Sequence, residues 1–105
     1  MNPREPMNGV VARLVAAIND GDRAVFLSLL APDAELTDDG RPRELAAWID
    51  AEIFTVHGHL TVDREEEQGL RIYATYRNDT WGEMSTVWRF GVSGEKITRI
   101  DTGQA

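Results

Sequence analysis

Apolar and polar positions change their period once along this chain, near residue 58. Before that point Met7, Val10, Val11, Leu14, Val15 and Ile18 recur at intervals of three and four, the spacing of one buried helical face. Asn19-Asp20-Gly21-Asp22 stops that helix and starts a second, whose apolar face is Phe26, Leu27, Leu29 and Leu30. The pattern predicts helices over roughly residues 7–19 and 22–31, with Asp22 placed to cap free N–H groups at the second start. Pro32-Asp33 then breaks into Ala34-Glu35-Leu36-Thr37-Asp38, a period-2 run that sets Ala34, Leu36 and Asp38 on one side of a strand over about 33–38. Asp39-Gly40 turns the chain, and Pro42 suits the first turn of a third helix running to about Val56, with Leu45, Trp48, Ile49, Ile53 and Val56 as its stripe.

From His59 onward the period is two. Strands are predicted at about 59–66, 70–78, 81–92 and 96–102, separated by the turn-forming pairs Gln68-Gly69, Asn78-Asp79 and Ser93-Gly94. Met84, Thr86, Trp88, Phe90 and Val92 form one side of the long strand, and Glu83, Ser85, Val87 and Arg89 the other. Successive hairpins make an antiparallel sheet, and helices gathered on one face of it give an α+β domain. Residues 7–105 form this single domain, preceded by a polar, proline-bearing segment 1–6 read as a flexible tail.

Composition narrows the function classes. A chain of 105 residues builds one core, and no apolar run approaches the ~18 residues of a membrane span. No basic segment followed by an apolar stretch opens the sequence, so a cytoplasmic location is expected. Eighteen acids against 11 bases leave a net charge of −7, which disfavours nucleic acid as a partner. Zero cysteines exclude disulfides, thiolate nucleophiles and cysteine metal sites. No G-x-S-x-G elbow, phosphate-binding glycine loop or dinucleotide fingerprint occurs. Asn78-Asp79-Thr80 matches a glycosylation sequon and is read as a hairpin turn.

Asp38 is the leading candidate for chemistry. If Ala34 and Leu36 face a core, so does Asp38, and desolvation disfavours a charged carboxylate unless it is partnered or working. The bland alternative is a strand-end acid that satisfies turn N–H groups beside Asp39 and Gly40. Glu52 follows Trp48 by four residues on the edge of the helical stripe, so it is either an inward acid in need of a partner (Tyr76, His57 or an arginine) or a solvated rim residue. Trp48, Trp81, Trp88, Tyr73 and Tyr76 supply an aromatic lining, a stripe that is more often core than ligand cage. His57-Gly58-His59 has chelating spacing, but no third ligand is evident, so solvated turn residues are the plainer reading and no metal is expected. No cofactor is implied.

The segment MNGVVARLVAAINDGDRAVFLSLLAPDAELTDDG resembles the opening of the ketosteroid isomerases, members of the NTF2-like (SnoaL-like) superfamily, in helix spacing, the N-D-G-D turn and a strand ending in Asp. The remainder matches through element order and the Trp88-Arg89-Phe90 strand core. The resemblance implies a cone of three helices on a strongly curved, mainly antiparallel sheet, with an apolar pocket at its open end. It places Asp38 on the family's general base. The family's oxyanion tyrosine falls on Leu14 and its protonated aspartic acid on Thr86, so the electrophilic half of that chemistry is missing. Strand parity and helix periodicity then put Leu14, Trp48, Glu52, Tyr76, Met84, Thr86, Trp88 and Phe90 around Asp38 as ligand-binding residues. Three functions follow as alternatives. One is an isomerase, cyclase or dehydratase using Asp38 as base on an apolar carbonyl compound. The second is a ligand-binding domain without turnover, and the third is a dimeric interaction module. The resemblance also implies a homodimer packed sheet to sheet through the face bearing Tyr73, Thr75, Glu83, Ser85, Val87 and Arg89.

Overall fold

The computed structural model describes residues 8–105, so Met7 and the tail proposed at 1–6 lie outside the described residues. Helix α1 (Gly9–Asp20) begins at Asn8, whose side-chain oxygen accepts from the N–H groups of Val10 and Val11, and ends on Gly21 in the left-handed conformation. Its stripe Val10, Val11, Leu14, Val15 and Ile18 is buried as the spacing predicts. Helix α2 (Arg23–Ser28) is capped by Asp22 and is shorter than predicted, because the chain is already in strand β1 (Leu30–Asp38) by Leu30. Pro32 and Asp33 do not interrupt that strand. They sit in an irregularity between the paired positions Leu30 and Glu35, where no ladder N–H is required of the proline.

Pro42 does not open a helix. It lies in a short edge strand β2 (Arg41–Arg43), paired with Thr37, where a missing N–H costs no ladder bond on the outer side. The third helix, α3, starts at Leu45, with the Glu44 carboxylate accepting from the N–H groups of Ala46 and Ala47. It covers Leu45–Ile49 and widens over Asp50–Phe54 into i→i+5 bonding, with Thr55 N–H reaching the Asp50 carbonyl at 3.0 Å. Strands β3 (His59–Glu66), β4 (Arg71–Asn78), β5 (Gly82–Ser93) and β6 (Lys96–Gln104) complete the sheet. Its order is β2-β1-β6-β5-β4-β3, antiparallel throughout except for the parallel pair β1–β6.

Register sets the inward face row by row. Leu36, Ile100 and Phe90 are cross-strand neighbours, and so are Asp38, Thr102, Trp88 and Ile72 in the next row. Thr86 pairs with Ala74, and Met84 with Tyr76. The exposed edge of β3 is tied to α1 by Asn19, whose amide donates to the Leu60 carbonyl at 2.9 Å and accepts from the Leu60 N–H at 2.7 Å. No helix among the described residues is long and apolar enough to cross a membrane.

Candidate functional site

The inward face is packed solid at one end and open at the other. A half-open cavity of about 510 Å³ lies between α3, the ends of β1 and β6, and the β4–β5 hairpin. Asp38, Trp48, Glu52, Tyr76, Met84, Thr86 and Trp88 line it, as the sequence reading places them. Leu14 and Phe90 do not. Leu14 is wholly buried in the α1 core, and Phe90 lies one row below, stacked on Trp88 with ring centroids 6.5 Å apart. Helix periodicity gives the correct face for Leu14 and strand parity for Phe90, but neither gives how far along that face the packing closes. Of the other aromatic residues read as lining, Trp81 borders the cavity and Tyr73 does not, and Asp39, Arg43, Glu83, Thr102, Gly103 and Gln104 line it without a sequence signal for that place.

Asp38 ends β1 on the inward face. Its Oδ2 accepts from the Trp48 indole N–H at 3.0 Å, which fixes the carboxylate against the helix wall. No ion pair joins Asp38, Asp39, Glu52 or Glu83 to a base among the described residues. Asp38 is therefore neither salt-bridged nor bound to the turn that follows it. Asp39 serves the turn instead: its φ is 51°, its N–H donates to the Thr102 carbonyl and its Oδ1 accepts from the Gln104 N–H at 3.1 Å. Gly103 lies close opposite it: a Cβ there would stand 2.5 Å from that oxygen and push the carboxylate aside.

The widened turn of α3 builds the far wall. The Glu52 carbonyl accepts from the Tyr76 hydroxyl at 2.5 Å and from the Asn78 side-chain amide at 2.9 Å, so two β4 residues replace a helical N–H. Buried there, the Tyr76 phenol is pushed up to about 12, with burial as the first cause. A Cβ on Gly58 would collide with the Tyr76 hydroxyl, so this closeness needs glycine. Asn78 also accepts from the N–H groups of Thr80 and Trp81 and shapes the hairpin tip. That tip presents Trp81, 63% exposed, whose indole N–H reaches the Glu52 carboxylate at 3.0 Å across the mouth. Glu52 is thus a rim acid held by an indole. Trp88 meets Trp48 and Tyr76 edge to face, at 6.4 and 5.9 Å between centroids.

The hydroxyl of Thr86 is already used. It donates to the Ala74 carbonyl at 2.8 Å and accepts from the Trp88 indole N–H at 2.9 Å, leaving no proton for a ligand. His57 pairs with Asp79 at 2.6 Å on the surface, and no group of three His, Cys, Asp or Glu side chains converges for a metal ion among the described residues.

This architecture has well-defined counterparts. It matches an NTF2-like protein of unknown function from Cytophaga hutchinsonii at TM-score 0.74 and 12% identity, covering 100% of this chain and 95% of that one. A protein from Sinorhizobium meliloti proposed to be a polyketide cyclase matches at TM-score 0.74 and 16% identity, over 90% and 94% of the two chains. A Catenulispora acidiphila protein with a ketosteroid isomerase-like fold, solved with trimethylamine, matches at TM-score 0.71 and 20% identity, over 91% and 85%. No protein-family model matches the chain, and no curated protein matches it by sequence. The fold is NTF2-like, with three helices on a six-stranded, mostly antiparallel sheet.

Proposed function

We propose that the cavity binds a small carbonyl compound and that Asp38 removes a proton from the carbon next to its carbonyl group. The observation that carries this reading is the Asp38 carboxylate on the cavity wall. It is unpaired with any base among the described residues, and one oxygen is anchored by Trp48 while Oδ1 is left to act. The proton passes to Oδ1 and the electron pair moves into the carbonyl, giving an enolate that is reprotonated at another carbon or attacks a second carbonyl. Isomerisation, dehydration and cyclisation all share that first step. Similarity in fold to a proposed polyketide cyclase is consistent with it.

Isomerisation of a β,γ-unsaturated ketosteroid is expected to be slow or absent. Leu14 carries no donor and the Thr86 proton is committed, and each missing oxyanion donor costs roughly 10²-fold or more. The same shortage favours, as a second reading, a binding domain without turnover. Hydrogen–deuterium exchange at the α-carbon of 2-tetralone, a small enolisable ketone, separates the two. The protein should accelerate exchange in D₂O, and Asp38→Asn should return it to the background rate. Saturable binding with no acceleration would leave the binding domain.

A homodimer formed through the outer sheet face is part of the same proposal. That face carries Val87 among polar side chains, with Arg64 lying 4.1 Å over the Tyr73 ring, a mixed surface of the kind that pairs copies. Sedimentation that finds only an 11.7 kDa species at micromolar concentration would reject it.

A further inference from the structure

Two buried threonines face the cavity, and they differ in one respect. Thr86 has both its hydroxyl proton and a lone pair engaged. Thr102 is also largely buried, at 8% exposure, yet its hydroxyl has no hydrogen-bond partner among the described residues. Arg71 Nε is the one buried side-chain polar atom without a partner among the described residues, so the Thr102 hydroxyl is not sealed off but is reached from the cavity that Thr102 lines. The position of Thr102 says what it is for. In the β1–β6 ladder it is the direct partner of Asp38, and in the β5–β6 ladder it is the direct partner of Trp88. Adjacent strands lie about 4.8 Å apart, so its hydroxyl stands on the inward face one strand away from the carboxylate.

We infer that Thr102 is the hydrogen-bond donor for the ligand's carbonyl oxygen, taking the part that Leu14 and Thr86 cannot. This rests on the reading that the cavity is the ligand site and that Asp38 is its base. A carbonyl compound lying against Trp88 would then present its oxygen to Thr102 Oγ1 and its α-carbon to Asp38 Oδ1, two groups held in register by the same sheet. When Asp38 takes the proton, the charge that develops on oxygen is met by the Thr102 O–H. Both groups sit on strands, not loops, so their spacing is fixed before the ligand arrives. Two other uncommitted side-chain donors line the cavity, the Arg43 guanidinium and the Gln104 amide, and both belong to exposed residues, Arg43 on the edge strand β2 and Gln104 at the end of β6.

The test uses 2-tetralone labelled with ¹³C at its carbonyl, and tetralin as the same skeleton without oxygen. In the wild-type protein the bound carbonyl stretch should fall to lower wavenumber than in hexane. Thr102→Val, which keeps the shape and removes the hydroxyl, should raise it again, weaken 2-tetralone roughly three- to tenfold and leave tetralin binding unchanged. Thr102→Ser should restore both the stretch and the affinity, and Arg43→Met and Gln104→Met, which remove the two other donors, should each leave the stretch in place. An unshifted stretch in Thr102→Val, equal losses for 2-tetralone and tetralin, or a stretch that follows Arg43 or Gln104 would each overturn the assignment of Thr102 while leaving the cavity as the ligand site. If the wild-type protein binds neither probe, the reading of the cavity fails, and this inference with it.

Discussion

The two ends of the inward sheet face are built from the same strands by the same alternation and serve opposite purposes. At the closed end Leu36, Ile100, Ile97 and Phe90 join Leu14, Val11 and Phe26 from the helices in one core, and all are below a tenth exposed. At the open end, one row further along, the inward positions become Asp38, Thr102 and Trp88, and α3 crosses at a distance that leaves about 510 Å³ unfilled. Leu36 and Ile100 give way to the short polar Asp38 and Thr102 on β1 and β6, while β5 keeps a large aromatic, Trp88 after Phe90. The lesson is that parity selects the face and the covering element decides whether that face becomes core or cavity.

The largest effect should come from breaking the closed end. Leu14→Ala removes a fully buried side chain and is expected to cost about 2–5 kcal/mol in urea unfolding, whereas Met84→Ala on the cavity wall should cost about 1 kcal/mol or less. Equal losses would erase the distinction between the ends. Gly58→Ala should come next, at about 1–3 kcal/mol, because the new Cβ drives the Tyr76 hydroxyl off the Glu52 carbonyl and disturbs the wall that spans the open end. Asn19→Ala, which frees the Leu60 N–H and carbonyl on the edge strand, should fall in the same range without altering ligand binding.

A smaller effect should appear at high pH. Burial holds the Tyr76 phenol at about 12, above the ordinary 10.0, so the folded state keeps a proton that the unfolded chain releases first. That contribution is whole below about pH 10 and declines as pH rises towards 12. Tyr76→Phe should flatten stability over that window, and an unchanged slope would place the phenol in solvent. On the outer face the charges are paired instead. Burial tends to raise Asp101, yet hydrogen bonds from Arg99 and Thr37, with the charges of Arg99 and Arg89, hold it below its usual range. This contribution is present above the usual carboxylate range and is lost in acid as Asp101 is protonated.

Much of the fold is legible in the sequence because its signals are local. The α1 stripe, the Asn19–Asp22 break and the turn pairs after residue 66 each act within a few residues. Strand β2 is not legible, since Pro42 two residues after a turn looks the same at the start of a helix or on a sheet edge; only pairing with Thr37 decides. The wide turn after Ile49 is equally hidden, because it depends on Tyr76 and Asn78 reaching the Glu52 carbonyl from β4. In the site, Asp38 and Thr86 follow from strand parity and Trp48 from helix periodicity. Thr102 is missed because one threonine beside Ile100 reads as a tolerated core polar residue. The signal that finds it is long-range: the parallel register that sets it opposite Asp38.

The most direct measurement is a crystal structure of the protein soaked with 2-tetralone. The open end should hold the ligand against Trp88, with its α-carbon about 3–3.5 Å from Asp38 Oδ1 and its oxygen towards Thr102. An empty cavity in crystals that carry the ketone elsewhere, or a ligand turned with its oxygen to the mouth and its α-carbon away from Asp38, would contradict the account.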